Sequence, residues 1–372
     1  MIEAFQESFL ARFAKAKNHK ASGQKIIGWM CIYTPEELLH AAGFYPFRIL
    51  GNPGETLQAD AYFPPNMCSF TRNCLEGVFD GTYDFLDGFI TSNNCDHIRR
   101  FYDIYYEYRD RPFMQILNVP NIISPESEAF FIQQLRDLKK SLEKKFNLPE
   151  ISDRSIKESI RLFNRMRELL KKVYLLRTSQ QPPITGVEAL EIVRAGMVLP
   201  KEEYNPMVED FLQKISEKAP GGGDHDYRLL LTGSEMDDVD YIKLIESLGG
   251  LVVTDDLCNG SRYFWDLVDE EEKDPIVALG KRYLKHAPCA RIQPIDNRIN
   301  HLREMIKTFS VDGIIMQYLK FCDLYGADLP LLKRAIKDLD IPLLCLDREY
   351  GVGGVGQMKT RVQAFFEVLE AA

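Results

Sequence analysis

The sequence predicts an α/β protein in which two doubly wound parallel sheets are joined by a helical block. Three observations lead there. Short apolar runs alternate with helix-period segments near both ends of the 372-residue chain, as parallel βαβ units require. From about Glu126 to Lys218 the pattern is almost wholly helical. Two Cys-Asp pairs, Cys95-Asp96 and Cys322-Asp323, each close an apolar run that opens on Asp-Gly (Asp87-Gly88, Asp312-Gly313) and lead into a helix-like segment. The chain therefore divides into an N-terminal lobe over 1–125, a connecting block over 126–219 and a C-terminal lobe over 220–372.

Residues 2–20 read as a helix with Phe5, Phe9, Leu10 and Phe13 on one stripe. Lys25 to Met30 is a strand. Thr34, Pro35 and Glu37 then form a helix-start signal, with an N-cap, a first-position proline and a capping box; that helix ends at Gly43. Further strands fall at 47–50, 87–92 and 113–118, with helices near 70–79 and 96–108. Gln181-Pro182-Pro183 interrupts the helical block, and Pro220 to Asp224 reads as a flexible linker. Beyond it strands are expected near 227–232, 251–254, 312–316 and 341–346, with helices near 236–248, 298–308, 328–338 and 357–369.

An apolar share of 45% and a charged share of 27% are those of a soluble globular protein. The net charge of −9 argues against a nucleic-acid binder, which needs clustered Lys and Arg. Lys139-Lys140 to Lys144-Lys145 reads as a solvated helix face. No apolar run reaches the roughly 18 residues of a membrane span, and the acidic start Met1 to Glu7 is unlike a signal peptide. A cytoplasmic chain with no membrane partner follows. Eight cysteines in that compartment are not read as disulfides, and no Cys-x-x-Cys is present.

In open parallel sheets ligands bind beyond the carboxyl ends of the strands. Cys31 ends the first strand, and Cys95, Cys258 and Cys322 each follow one; Cys68 precedes a helix and Cys289 sits in a Pro-flanked loop. Cys74, inside a helix, and Cys345, inside an apolar run, read as core. The six rim cysteines fall three to a lobe, with gaps of 37 and 27 residues, then 31 and 33. Iron–sulfur cubanes are held by Cys thiolates, normally four each. Three per lobe would leave each cubane one ligand short, so that an iron is open or two cubanes share a bridging atom. A helix N-terminus favours the thiolate, which suits Cys68 and Cys95. Spacing alone leaves ligands and scattered small hydrophobes equally open.

Seven segments in order carry a resemblance: Gly28-Trp29-Met30-Cys31-Ile32-Tyr33-Thr34-Pro35 with Ala41-Ala42-Gly43; Met67-Cys68-Ser69-Phe70-Thr71-Arg72; Cys95-Asp96 with Ile98-Arg99; Arg194 to Pro200; Asp255-Asp256-Leu257-Cys258 with Gly260-Ser261-Arg262; Phe321-Cys322-Asp323; and Thr360 to Phe365. The chain resembles the 2-hydroxyacyl-CoA dehydratase and benzoyl-CoA reductase superfamily. In that superfamily three cysteines, corresponding to Cys68, Cys95 and Cys322, hold one 4Fe-4S cluster. With Cys31, Cys258 and Cys289 added, the set looks like that of the double-cubane cluster proteins, homodimers whose 8Fe-9S cofactor is bound by six cysteines. The resemblance implies reduction of a small substrate with electrons from a separate ATP-hydrolysing iron–sulfur activator. The lack of a Gly-x-x-x-x-Gly-Lys-Ser/Thr loop agrees with a separate ATPase. Two other readings stand beside it: one half of a heterodimeric dehydratase or benzoyl-CoA reductase with one cubane, and a non-catalytic electron carrier.

Rival signals are weaker. Gly351 to Gly356 fits Gly-x-Gly-x-x-Gly, but only 16 residues follow, too few for the next strand and its acid. The six histidines form no metal-binding pair. His97, beside Cys95-Asp96, reads equally as a solvated helix-start residue or as a donor or proton relay near the cluster. Glu36, beside Cys31, is the proton-donor candidate, since Glu37 is accounted for by capping; Arg262 and Arg291 could place a cation near the centre or form ordinary ion pairs. The expectation is two flavodoxin-like lobes with a metal centre between them on Cys31, Cys68, Cys95, Cys258, Cys289 and Cys322.

Overall fold

The computed structural model describes residues 1–110, 113–217, 225–286, 288–351 and 353–371. After helices α1 (Glu3–Leu10) and α2 (Arg12–Ala21), strand β1 (Ile26–Trp29) leads through α3 (Glu36–Ala41) to β2 (Tyr45–Arg48). Helix α4 (Ser69–Phe79) precedes β3 (Gly88–Ser92), and α5 (Asp96–Tyr108) precedes β4 (Phe113–Leu117). The sheet is parallel, in the order β2-β1-β3-β4. β1, β2 and β3 are buried along their whole lengths, as expected of parallel strands covered on both faces.

Four long helices follow: α6 (Pro125–Phe146), α7 (Asp153–Leu175), α8 (Gly186–Val198) and α9 (Lys201–Ser216). Their starts are written locally. Ser124 and Ser152 accept from backbone N–H groups three residues on, and Thr185 with Glu188 forms a full capping box. The chain then builds β5 (Tyr227–Gly233), α10 (Val239–Glu246), β6 (Gly250–Asp256), α11 (Ser261–Phe264), α12 (Pro275–Lys285), α13 (Asp296–Phe309), β7 (Gly313–Leu319), α14 (Asp323–Lys337), β8 (Leu343–Arg348) and α15 (Val355–Glu370). This second parallel sheet has the order β6-β5-β7-β8, the same relative order as the first. Both lobes are thus flavodoxin-like, and each has its switch point between its first and third strands, where a crevice opens at the strand ends. One apolar core cluster runs through both lobes and the helices between them. None of the described helices is long and apolar enough to cross a membrane.

Several local expectations are corrected. The 2–20 helix is two helices that meet at Ala11. Thr34 does not cap α3: its hydroxyl has no partner, the cap position is Pro35, and Glu37 turns instead to Arg167 and Tyr283. Helix α14 begins at Asp323, not near 328, and runs through Pro330. A proline there costs a backbone hydrogen bond, and burial of Tyr325, Leu332 and Ile336 offsets it. Helices α11 and α12 were not anticipated. The expected linker over 220–224 lies outside the described residues.

Candidate metal centre

The two crevices face one another across one cavity of about 100 Å³, and all six rim cysteines line it. Cys31 follows β1, and Cys95 follows β3; Cys258 follows β6, and Cys322 follows β7. Cys68 and Cys289 enter from the stretches before α4 and after α12. Cys74 and Cys345 are not among the lining residues.

Three of the six are helix N-caps: Cys68 on α4, Cys95 on α5 and Cys322 on α14. The positive ends of three helix dipoles therefore meet in one cavity, which favours anionic sulfur. Other donors aim at the sulfurs. The Ile98 N–H donates to Cys95 Sγ at 3.4 Å, the Arg291 N–H to Cys289 Sγ at 3.4 Å, and the Tyr33 hydroxyl to Cys289 Sγ at 3.5 Å. The Asn94 side-chain amide donates to Cys31 Sγ, held in place by the Ser92 hydroxyl on its oxygen at 2.7 Å.

Burial opposes the charged form. It pushes the Cys31 thiol up to about 11 and those of Cys68, Cys95 and Cys322 up to about 12, and it raises Cys258 as well. Alone, these thiols keep their protons at neutral pH, and a bound metal must displace them. Among the described residues, no three His, Cys, Asp or Glu side chains converge as a single-ion site requires. Six thiols spread around one cavity, with no His or carboxylate joining them at a point, suit a multi-iron centre. There each cysteine binds an iron of its own. The donor set fits an iron–sulfur cluster better than a mononuclear metal.

His97 lines the cavity and joins three of the cysteine segments. Its Nδ1 accepts the Cys68 N–H at 3.0 Å, so its ring proton lies on Nε2, which faces Asp323 Oδ2 at 3.2 Å. The solvated reading of His97 fails: it is 7% exposed. Glu36 does not reach the cavity. Its carboxylate accepts the Tyr263 hydroxyl at 2.6 Å and faces Lys201 Nζ at 3.4 Å, so the structure gives it no reacting partner there. Arg262 lies against Asp256, and Arg291 donates to the carbonyls of Asn94 and Val119, tying the two lobes together.

Sequence reasoning missed Tyr33, Asn94, Arg48 and Glu235. Tyr33 lies two residues past Cys31 and Asn94 directly before Cys95, and that nearness in sequence was the available signal. Arg48 interrupts the apolar run Phe47-Arg48-Ile49-Leu50, a buried charge that asks for a partner. Arg48 bonds Glu235 at 2.6 Å from the other lobe.

Residues 31–369 match the family model described as 2-hydroxyglutaryl-CoA dehydratase, D-component. The chain is 27% identical to the (R)-phenyllactyl-CoA dehydratase beta subunit of Clostridium sporogenes, over 95% of this chain and 94% of that one. It is 25% identical to one of the subunits of benzoyl-CoA reductase of Thauera aromatica, over 99% and 97%. It is also 25% identical to the beta subunit of (R)-2-hydroxyglutaryl-CoA dehydratase of Acidaminococcus fermentans, over 99% of both chains.

Proposed function

Since the chain belongs to the family described as 2-hydroxyglutaryl-CoA dehydratase, D-component, with dehydratase and reductase subunits among its relatives, we propose that it is an iron–sulfur reductase. Cys31, Cys68, Cys95, Cys258, Cys289 and Cys322 hold a double-cubane 8Fe-9S centre between the lobes 1–125 and 220–372, with 126–219 as the block that sets their separation. A separate ATP-hydrolysing iron–sulfur activator delivers low-potential electrons, and a small substrate is reduced in the cavity. The protein works as a cytoplasmic homodimer.

The observation that carries this reading is that the six cysteines of two lobes, separated by up to 291 residues (Cys31 to Cys322, 322 − 31), line one cavity. When bound, such a centre supplies single-electron reduction at low potential. The chain's own residues do the rest. The N-termini of α4, α5 and α14 and the donors on Cys31, Cys95 and Cys289 stabilise thiolate. His97 holds the Cys68 and Cys322 segments in register through Cys68 N–H and Asp323. Apolar lining from Met30, Ile32, Phe70 and Leu319 keeps water from the sulfurs.

A second reading is favoured by the relatives, which are named as subunits of larger enzymes. Here the chain is one half of a heterodimeric acyl-CoA dehydratase or benzoyl-CoA reductase, with one 4Fe-4S cluster on Cys68, Cys95 and Cys322. Cys31→Ala separates the two: it lowers iron content under the first reading and leaves it unchanged under the second. A third reading is a non-catalytic electron carrier. ATP-dependent reduction of acetylene in the presence of the cognate activator distinguishes enzyme from carrier; no turnover of any substrate would favour the carrier.

A further inference from the structure

Arg262 and Arg291 do not line the cysteine cavity. Arg48 does, and it is the only Arg or Lys among the described lining residues. It ends β2, is 1% exposed, and has its guanidinium 4.8 Å above the Trp29 ring. One terminal nitrogen donates to Glu235 Oε1 at 2.6 Å, while Nε and the other terminal nitrogen have no partner. Glu235, also in the lining, accepts from Asn259 Nδ2 at 2.7 Å on the same oxygen. A buried cation with unsatisfied donors is costly, and Arg cannot shed its charge to escape the cost. Its free donors therefore call for an acceptor supplied by whatever fills the cavity, and a cluster on six thiolates is an anion with acceptor sulfurs.

We propose that the Arg48–Glu235 pair, one residue from each lobe, sets the electron affinity of the centre, with Arg48 as donor to its sulfurs and Glu235 as the opposing charge. This rests on the iron–sulfur reading above. Each added electron makes the centre more negative, so the guanidinium stabilises the reduced form and the carboxylate disfavours it. Both act through the centre rather than on substrate, so they are positioning residues. Because the two charges oppose one another, removing either one has a sign.

The test is a potentiometric titration of the iron-loaded protein and of Arg48→Gln and Glu235→Gln, with iron content measured in parallel. Arg48→Gln should lower the midpoint potential and Glu235→Gln should raise it. Each shift should be roughly tenfold in the reduction equilibrium, about 59 mV for one electron. A purely structural role would cost iron in both variants without shifts of opposite sign. Loaded variants whose potentials do not move, or move the same way, overturn the proposal and leave the iron–sulfur reading standing. Failure of the unaltered chain to take up iron overturns both. If Arg48→Gln takes up no iron, Glu235→Gln decides alone: a rise supports the proposal, and no change or a fall overturns it.

Discussion

His97 shows how much a single side chain does in this cavity. Its two ring nitrogens meet a backbone N–H from one lobe and a carboxylate from the other. His97→Ala leaves the buried Cys68 N–H without an acceptor, so the metal-free protein should lose about 1–3 kcal/mol in urea unfolding. His97→Gln, which can still accept and donate, should recover most of that. Asp237 carries a cost of the opposite kind. Burial pushes its carboxyl up to about 6, from 3.8, with Glu235 adding and Arg194 and the Tyr350 hydroxyl opposing. The folded chain thus binds this proton more tightly than the unfolded chain does. Below about pH 4 both states are protonated and the group is neutral to stability. Between about pH 4 and 6 the unfolded chain loses this proton while the folded chain keeps it, so stability falls across that window and levels off above it. Asp237→Asn should therefore stabilise the protein by on the order of 2–3 kcal/mol at pH 7, with the gain gone below about pH 4. Urea midpoints at the two pH values check it. The rim cysteines were legible at this scale because a residue just past a parallel strand has one place to be. The direction of Glu36 was not legible, because adjacency to Cys31 does not say which way a helical side chain points; here it turns to Tyr263 and Lys201.

Among the elements, helix starts do the organising. Three cysteines are N-caps, and two of those starts, at Cys68 and Cys95, were readable from sequence. The third, at Cys322, was read as leading into a helix-like segment, but the helix itself was placed near 328–338, short of its true start at Asp323. The Thr34 capping box failed because Glu37 has partners 130 and 246 residues away, Arg167 and Tyr283, which no local pattern reveals. The end of β5 has a sharper requirement. Gly233 stands at φ +130°, and a Cβ there would meet the Gln317 carbonyl of β7 at 1.7 Å. Gly233→Ala must push β5 from β7 beside Ser234 and Glu235, two cavity residues. It should cost about 2–4 kcal/mol, read as a lowered thermal midpoint, and should reduce iron uptake. Unchanged stability would contradict the geometry.

The whole molecule is two copies of one strand order set against each other, so that both switch points open into a common space. The repeat was legible as two Asp-Gly to Cys-Asp runs. Their convergence was not, because it depends on the helical block and on contacts such as Arg291 with Asn94 and Val119. Nor could sequence alone say whether six cysteines are ligands; the shared cavity is what moves the reading toward a multi-iron centre. The measurement that bears on it most directly is iron and acid-labile sulfide per chain after anaerobic reconstitution, with Cys31→Ala alongside. A double cubane gives about eight iron atoms per chain, two cubanes of four, and a clear loss in the variant. About four, unchanged by Cys31→Ala, would contradict it.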